Sequence, residues 1–422
     1  MSTQAPTTRS VLAPFRVRSF RFQWPSDLAT SWAAEMEMLI LGWYILTETK
    51  SVVLLTLFAA LQWIGTLIAP MFGVAGDRLG HRNVLCAMRA LYALQAGTLM
   101  CLAFADLISP LAVFIISAVM NLVRPSDLAM RYALIGETMP REHLMPATSI
   151  ERTTVESARV FGALTGAGLF AALGMGAAYT VVTAFYLLAF TLTLGVRVAR
   201  KAASRYGTEG AATPASPWRD VKEGFGYVRG SPILVATLLL AFLVNLSAYP
   251  LTMGLLPYIV KDVLHGTQTG LGYAAASFAL GALSGSIALT RYGGAIAAGR
   301  WMFGFALVWY AMLAVFSIQH SLPSAIVVLF FTGLAQSFCL VPMSALLLRN
   351  ADERYRGRVM GIRMFAIYGL PVGLLLAGPL IQAFGFTSMA MLYCVVGSLA
   401  TFAIARHWRR HMWAADGTAN RR

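Results

Sequence analysis

The stretch GVAGDRLGHR, residues 73–82, places an Asp, two Arg and a His among three Gly, between two long apolar runs. One run covers residues 51–72 and the other covers residues 84–105. At about 1.5 Å rise per residue, a helix of either length crosses a hydrocarbon core of about 30 Å. The stretch therefore predicts a polar loop between two membrane-spanning helices.

The rest of the chain repeats this pattern. Of its 422 residues, 58% are hydrophobic and 12% are charged, which is about half the charged fraction of roughly 25% in soluble domains. A backbone inside lipid must satisfy its own hydrogen bonds, so the apolar runs predict helices and an all-α membrane protein. The twelve predicted transmembrane helices cover residues 22–46, 51–74, 84–105, 110–130, 147–173, 177–196, 233–258, 270–291, 301–318, 323–348, 359–384 and 387–406.

The formal charge of +15 would also suit a nucleic-acid-binding protein, so the placement of the basic residues matters. With both termini in the cytoplasm, only Lys50 and Lys261 of the 33 Lys and Arg fall in outward-facing loops. This is the positive-inside distribution of membrane proteins. The basic excess therefore indicates topology and attraction to anionic membrane lipid, and no nucleic acid is expected as a partner.

The longest polar stretch, residues 197–231, divides the chain into an N-terminal six-helix bundle, residues 1–196, and a C-terminal six-helix bundle, residues 232–422. Its first part is rich in Ala, Gly, Ser and Pro and predicts a flexible linker. Its second part, WRDVKEGFGYVRGSP, predicts a short amphipathic helix on the inner membrane surface, with Trp218, Val221, Phe225 and Val228 on one side.

The two halves are also similar to each other. A shift of 211 residues places Gly162 over Gly373, and a shift of 216 places Gly65 over Gly281. These shifts predict an internal duplication with pseudo-two-fold symmetry, a common plan in transporters, in which the substrate binds near the bilayer midplane between the halves.

Placed between the second and third helices, residues 73–85 resemble the signature loop of the major facilitator superfamily, Gly-X-Leu-Ala-Asp-Arg-X-Gly-Arg-Lys-X-X-Leu. The matching positions are Gly73, Asp77, Arg78, Gly80, Arg82 and Leu85. Ala75, Gly76 and His81 depart from the pattern. The resemblance implies the major facilitator fold.

The resemblance also implies that this loop is a gating latch on the cytoplasmic side, with Asp77 at its centre. The glycines permit a tight reversal, and the family's contact with the eleventh helix makes Arg356 and Arg358 the expected partners. The alternative is a solvated turn that obeys the positive-inside rule. Arg124, Asp127 and Arg131 share one side of the fourth helix and are candidates for the same gating network or for contact with substrate.

A narrower resemblance joins three segments, RPSDLAMRYALIGETMPREHLMPATSIERTTVESARVFGALTG from Arg124, YPLTMGLLPYIVKDVLHG from Tyr249 and ERYRGRVMGIRMFAIYGLPVGLLLAG from Glu353. They look like the branch that holds the enterobactin exporter and the macrolide efflux proteins. That branch implies export of a siderophore, antibiotic or similar amphipathic molecule from bacteria across the inner membrane, in exchange for protons. The fifth helix lacks the Gly-Pro pair of many such exporters, but its GxxxG from Gly162 to Gly166 permits close packing.

Ionisable residues inside a membrane are costly and mark functional sites. Glu35 and Glu37 lie in the first helix and point about 200° apart, so both cannot face one narrow cavity. We expect one of them to be the protonation site and prefer Glu35, because Asp27 extends its face towards the cytoplasm. The alternative is a structural acid that is permanently protonated or paired with Arg.

The charged residues of the third and fifth helices are expected to have structural roles. In the fifth helix, Arg152 with Glu156 and Glu156 with Arg159 have the spacing of internal ion pairs. Arg89 in the third helix is expected to extend to the cytoplasmic surface.

The architecture implies that the first, fourth, seventh and tenth helices face a central substrate cavity. The candidates are Trp43, Tyr44, Asn121, Asn245, Tyr249, Gln336 and Phe338. Pro250 is expected to break the seventh helix.

No catalytic set, metal site or cofactor is expected, so an enzyme is disfavoured. The expected partners are a small-molecule substrate, protons and membrane lipid, and the chain is expected to be a monomer. A proton-coupled importer, a lipid or metal transporter of the same fold and a non-transporting receptor stay open as alternatives.

Overall fold

The computed structural model describes residues 12–198, 217–292, 297–352 and 355–419, and these are almost entirely helical. The helices of the first half are α1 (Arg18–Thr49), α2 (Val52–Leu61), α3 (Ala69–Leu79), α4 (His81–Phe104), α5 (Pro110–Thr138) and α6 (Arg141–Leu194). The helices that follow are α7 (Pro217–Arg229), α8 (Pro232–Ser247), α9 (Tyr249–Met253), α10 (Leu256–Tyr258), α11 (Gln268–Tyr292), α12 (Ala298–Ser317), α13 (Leu322–Asn350), α14 (Arg356–Ile367), α15 (Gly369–Phe384) and α16 (Phe386–Ala419).

These helices fit the predicted membrane spans. Within the described ranges, eight helices are long and apolar enough to cross a membrane, and two bent helix pairs bring the number to ten. The long helix α6 consists of two helices that meet at Gly174, whose φ of 77° is non-helical, and α1 contains the first predicted span. The fold is therefore an all-α membrane protein, consistent with twelve transmembrane helices.

The prediction of a loop over residues 73–82 is wrong in the length of the loop. Helix α3 continues to Leu79 and α4 begins at His81, so Gly80 is the only non-helical residue of the stretch. Gly80 has a φ of 87°, a conformation that is costly for any residue with a Cβ. A single glycine therefore makes the whole reversal, and Asp77 and Arg78 belong to the last turn of a helix.

Glycines at matching places of the two halves make matching helix contacts. A Cβ at Gly65 would collide with the backbone of Asn121 on α5, and a Cβ at Gly281 would collide with the backbone of Phe330 on α13. In the predicted duplication, both are contacts of a second helix with a fourth. Close backbone approach at small residues is how membrane helices pack without a hydrophobic driving force between them.

The second matched pair behaves in the same way. A Cβ at Gly162 would lie 3.1 Å from the carbonyl oxygen of Trp32 on α1. A Cβ at Gly373 would collide with the backbone carbonyl of Leu246 on α8. Both are contacts of a fifth helix with a first, so the packing supports the duplication that the two sequence shifts predict.

Contacts divide the chain into two compact units, Met1–Met38 with Ile64–Tyr206, and Leu39–Trp63 with Gly207–Arg422. The units differ from the predicted halves by the segment Leu39–Trp63. Within the second unit, Ala59 packs with Leu370 and Leu374, and Lys261 donates to the hydroxyl of Thr47 over 3.0 Å. The end of α1 and all of α2 thus belong to the same unit as the second half.

A helix, α7, lies where the amphipathic helix is predicted in the linker, and its segment Glu223–Arg229 is bent by 106° from α8. Val228 is buried in an apolar cluster with Leu234 and Val359, and Tyr227 stacks on Tyr355 at 4.3 Å between ring centroids. Phe225, predicted on the same side, is exposed. The side chains of Trp218 and Val221, and most of the predicted flexible linker, lie outside the described part of the chain. Pro250 opens α9 directly after α8 ends, which confirms the predicted break.

The contact at Gly281 predicts a selective loss of stability. Gly281→Ala should lower the melting temperature of the purified protein in detergent, because overpacking costs about 1–3 kcal/mol. The matched control is Gly304→Ala on α12, where a Cβ would meet nothing within 4 Å. This control should be neutral or slightly stabilising, since Ala is the better helix former. Equal melting temperatures of the two variants would contradict the packing described.

Candidate functional site

A buried arginine on α4 holds the first acid of α1. Arg89 donates to Asp27, Ser26 and Thr193, and neither Arg89 nor Asp27 is exposed. The prediction that Arg89 extends to the cytoplasmic surface is therefore wrong. The carboxylate and two hydroxyls accept from the two terminal nitrogens of the guanidinium inside the protein, while its Nε has no hydrogen-bond partner among the described residues.

A second buried arginine connects α5 with two other helices. Arg131 contacts Asp127 one turn earlier on α5, lies 3.6 Å from Asp27 on α1 and donates to Glu151 on α6 over 3.2 Å. It also donates to the hydroxyl of Ser31 over 2.7 Å. We call the connected group the Arg131 cluster: Asp27, Arg89, Asp127, Arg131 and Glu151.

Glu37 lies farther along α1 in a separate pair. Arg124 of α5 donates to Glu37 over 2.6 Å, and Tyr186 of α6 donates to the same carboxylate oxygen over 3.0 Å. Arg124 also donates to the hydroxyl of Tyr186 over 2.8 Å. Glu37 is buried and Arg124 is half-buried, so this is one acid with one base in a closed set of hydrogen bonds.

Glu35 belongs to a third group, which is more exposed. Arg159 of α6 lies 3.7 Å from Glu35 and 3.2 Å from Glu156. The side chains of Glu35, Glu156 and Arg159, here called the Arg159 triad, are 25%, 27% and 40% exposed. Glu35 and Glu37 thus have different partners on α1, in keeping with the angle predicted between them.

Close packing of α6 on α1 brings the triad together. A Cβ at Gly162 would lie 2.9 Å from the Cβ of Glu35, and one at Gly166 would lie 2.7 Å from the Cα of Met36. The predicted close contact at this GxxxG is confirmed. The predicted pairing of Glu156 with Arg159 is also present, whereas Arg152 is exposed.

The signature residues lie in the same unit. Asp77 is 78% exposed and 3.8 Å from His81, whose other ring nitrogen lies 2.7 Å from Glu137 on α5. A Cβ at Gly76 would lie 2.6 Å from the ring of His81, so two departures from the family pattern, Gly76 and His81, pack against each other.

The other latch candidates are spread over the chain. Arg82 donates to the carbonyl of Leu194 over 2.6 Å, and Arg78 is exposed. Arg356 and Arg358 lie in the first turn of α14, but their side chains are outside the described part, so contact with Asp77 stays a prediction.

Two cavity candidates meet in the second half. Gln336 of α13 donates to the hydroxyl of Tyr249 over 2.7 Å, and the Tyr249 ring packs edge-on against Trp309 at 5.2 Å. The neighbouring candidate Phe338 packs against Trp301 and Phe305. Trp309 and Gln336 are buried in this conformation, whereas Tyr249 and Phe338 are partly exposed.

The remaining cavity candidates have local contacts. Trp43 and Tyr44 are buried, and the ammonium of Lys261 lies 5.9 Å from the Trp43 ring. Asn245 donates to the carbonyl of Ala241 in its own helix over 2.8 Å. Asn121 is buried at the contact of α5 with Gly65.

With this geometry in place, comparison with known proteins identifies the family. The family model for the Major Facilitator Superfamily matches residues 28–370 and 238–414. The chain belongs to the major facilitator superfamily. A major facilitator protein is a multi-pass membrane transporter of small molecules and is not an enzyme.

Three relatives illustrate the breadth of the superfamily. The chain is 25% identical to the lysophospholipid transporter LplT of Yersinia enterocolitica over 249 residues, which cover 57% of each chain. It is 23% identical to the multidrug efflux pump Tap of Mycolicibacterium fortuitum over 378 residues, 85% of this chain and 89% of that one. The crystal structure of a bacterial homologue of the human lysosomal transporter Spinster, inward-facing and unoccupied, matches with a TM-score of 0.71 at 14% identity, over 97% and 98% of the chains.

Some members of the site in this major facilitator protein carry no direct signal in the sequence. Tyr186 lies in an apolar stretch of α6 and bonds to Glu37, a residue 149 positions away. Glu151 lies beside Arg152 in sequence, yet its ion-pair partner is Arg131 on α5. Spacing along one helix identifies only partners on that helix. An arginine with no acid on its own helix, such as Arg89, is the one sequence signal that points to an acid on another helix.

The contacts of Arg89 predict a strong stability effect. Arg89→Met should lower the unfolding free energy by about 3–5 kcal/mol, because it leaves a buried carboxylate without its main partner. Thermal unfolding in detergent measures this loss. Adding Asp27→Asn to Arg89→Met should recover part of it, and the exposed control Arg78→Met should be neutral. An Arg89→Met protein as stable as Arg78→Met would contradict the buried pair.

Proposed function

We propose that this transporter exports a small amphipathic molecule across the bacterial inner membrane, by alternating access and in exchange for protons. The observation that carries the proposal is the Arg159 triad, in which two carboxyls share one guanidinium at a partly exposed position. In low dielectric, one arginine compensates one carboxylate well and a second one poorly. One of the two acids therefore gains a proton easily and loses it when its surroundings change.

Glu35 is the member of the triad best placed to carry that proton. It lies on α1, 3.7 Å from Arg159, while Glu156 is held to Arg159 within α6 at 3.2 Å. Arg124, which pairs with Glu37, also attracts Glu35 electrostatically. A movement of α1 against α5 and α6 would change these attractions together, which links protonation to conformation.

Glu37 and Asp27 have different supporting roles in this proposal. Glu37 is matched one to one by Arg124 and is hydrogen-bonded by Tyr186, so in this proposal it takes part in proton exchange only if the pair opens. Asp27 is bound by Arg89 and anchors α1. Glu35 is thus the first candidate for the coupling proton and Glu37 the second.

Residues of the second half and the relatives support the proposed substrate class. Tyr249 and Phe338 are partly exposed, and the hydroxyl of Tyr249 bonds to Gln336. Aromatic rings with a few polar atoms suit an amphipathic molecule with apolar rings or chains. The efflux pump Tap, similar along 85% of this chain, supports export. A siderophore or antibiotic fits this class.

A lysophospholipid is the second candidate substrate. The match to LplT favours it, although the matched stretch spans 57% of that relative. A lysophospholipid is also amphipathic, so the same residues of the second half would contact it, and a panel of substrates must separate the two candidates.

We also propose that the one-residue turn at Gly80 is part of a cytoplasmic gate. Asp77, at the exposed end of α3, would pair with Arg356 or Arg358 when the cytoplasmic side is closed. The proposal also includes cytoplasmic termini, which the Lys and Arg distribution supports, and a single chain as the transporting unit.

The test is transport in inverted membrane vesicles with an acidic interior. The panel contains a macrolide, enterobactin, a cationic dye and lysophosphatidylethanolamine. We expect at least one compound to enter the vesicles and to release protons from them. Glu35→Gln combined with Glu37→Gln should abolish this exchange while the protein still folds, because Gln mimics a protonated acid.

The matched control is Glu142→Gln, since Glu142 is 70% exposed and its ion pair within the described part of the chain is with the neighbouring His143. It should transport normally. Exchange that persists in the Glu35 and Glu37 double variant would refute the coupling role of these acids. Uptake into whole cells with no response in the vesicles would favour an importer.

A further inference from the structure

The Arg131 cluster contains more carboxyls than guanidiniums. Asp27, Asp127 and Glu151 face Arg89 and Arg131, and all five side chains are at most 7% exposed. These are the ion pairs of the cluster among the described residues, so full ionisation would leave one net negative charge. An uncompensated buried charge costs several kcal/mol, and uptake of one proton removes that cost.

The contacts distinguish the three acids. Asp27 is bonded to Arg89 and also lies 3.6 Å from Arg131. Asp127 is in direct contact with Arg131 in the same helix. Glu151 contacts one guanidinium, that of Arg131, over 3.2 Å. The same guanidinium also contacts both other acids. Glu151 therefore receives the least compensation for a negative charge.

The second oxygen of Glu151 gives independent support. Its Oε2 is buried and has no hydrogen-bond partner among the described residues. The same holds for Oδ2 of Asp27 and Oδ1 of Asp127, which can only accept when ionised. A proton on Glu151 would supply a donor to a cluster that has acceptors left over.

We propose that Glu151 is a further proton-binding site: it holds a proton in this conformation and releases it when Arg131 separates from Asp127 or Asp27. The charged and titratable groups around it are Arg131, Asp127 and Tyr132 of α5, Asp27 of α1, and Arg152 of its own helix. Loss of the proton would strengthen the hold of α6 on Arg131. Its role in transport rests on the proposed function, but its protonation does not.

Infrared difference spectroscopy of the purified protein in lipid tests the proton directly. At neutral pH, the wild-type spectrum minus that of Glu151→Gln should contain the carbonyl stretch of a protonated carboxylic acid. In protein made with carboxyl-13C-labelled glutamate, that band should shift to lower frequency. Because Gln replaces a neutral acid, the variant should melt at about the wild-type temperature.

The isotope excludes the alternative sites. If Asp27 or Asp127 carried the proton, Glu151→Gln would still remove a band, but that band would not shift with labelled glutamate. The matched control is Glu137→Gln, an exposed partner of His81, which should leave the band in place. A missing band, or a band insensitive to labelled glutamate, would overturn the proposal.

Vesicle transport separates this site from the proposed function. If the band of labelled Glu151 is present but transport does not depend on the pH gradient, the proton site is supported and coupled export is refuted. Gradient-driven export without the band would refute the site alone.

Discussion

The first half of the molecule depends on the buried ion pairs of Arg131. One guanidinium on α5 contacts acids of α1 and α6, and Asp27 extends the contact to Arg89 on α4. In a low-dielectric interior, these groups are stable only together, because each charge compensates the others. The cluster sets the rotation of α1, and Glu35 and Glu37 follow about two to three turns later on that helix. The pairing of Glu35 with Arg159 and of Glu37 with Arg124 follows from the position in which the Arg131 cluster holds α1.

The two halves share their helix packing but differ in their chemistry. Gly65 and Gly281, like Gly162 and Gly373, serve equivalent contacts, as expected after duplication of one bundle. By contrast, every fully buried charged side chain among the described residues lies in the first half. The second half provides aromatic rings and the Tyr249 to Gln336 hydrogen bond. This division suits a transporter in which one half binds protons and the other contributes most to substrate binding.

Much of the fold could be predicted from the sequence, because the constraint that lipid places on a backbone acts on each apolar run separately. The helix break at Pro250, the close contact at Gly162 and the amphipathic linker helix were predictable for the same reason: each depends on local residue types. The single-residue turn at Gly80 was not, since residues on both sides are polar enough for either a helix end or a loop. The partners of Arg89 and Glu151 were also out of reach, because they are set by how separate helices rotate against each other.

In the proposed mechanism, protons bound by first-half carboxyls are exchanged for substrate. The decisive measurement is proton release on ligand binding, with purified protein in weakly buffered detergent solution and a pH indicator. The ligands are lysophosphatidylethanolamine and a macrolide, and binding is measured in parallel. We expect the ligand that binds to release protons from the wild type. The double variant, Glu35→Gln with Glu151→Gln, should bind the same ligand without releasing protons. Binding without proton release in the wild type, or undiminished release in the double variant, would contradict the claim.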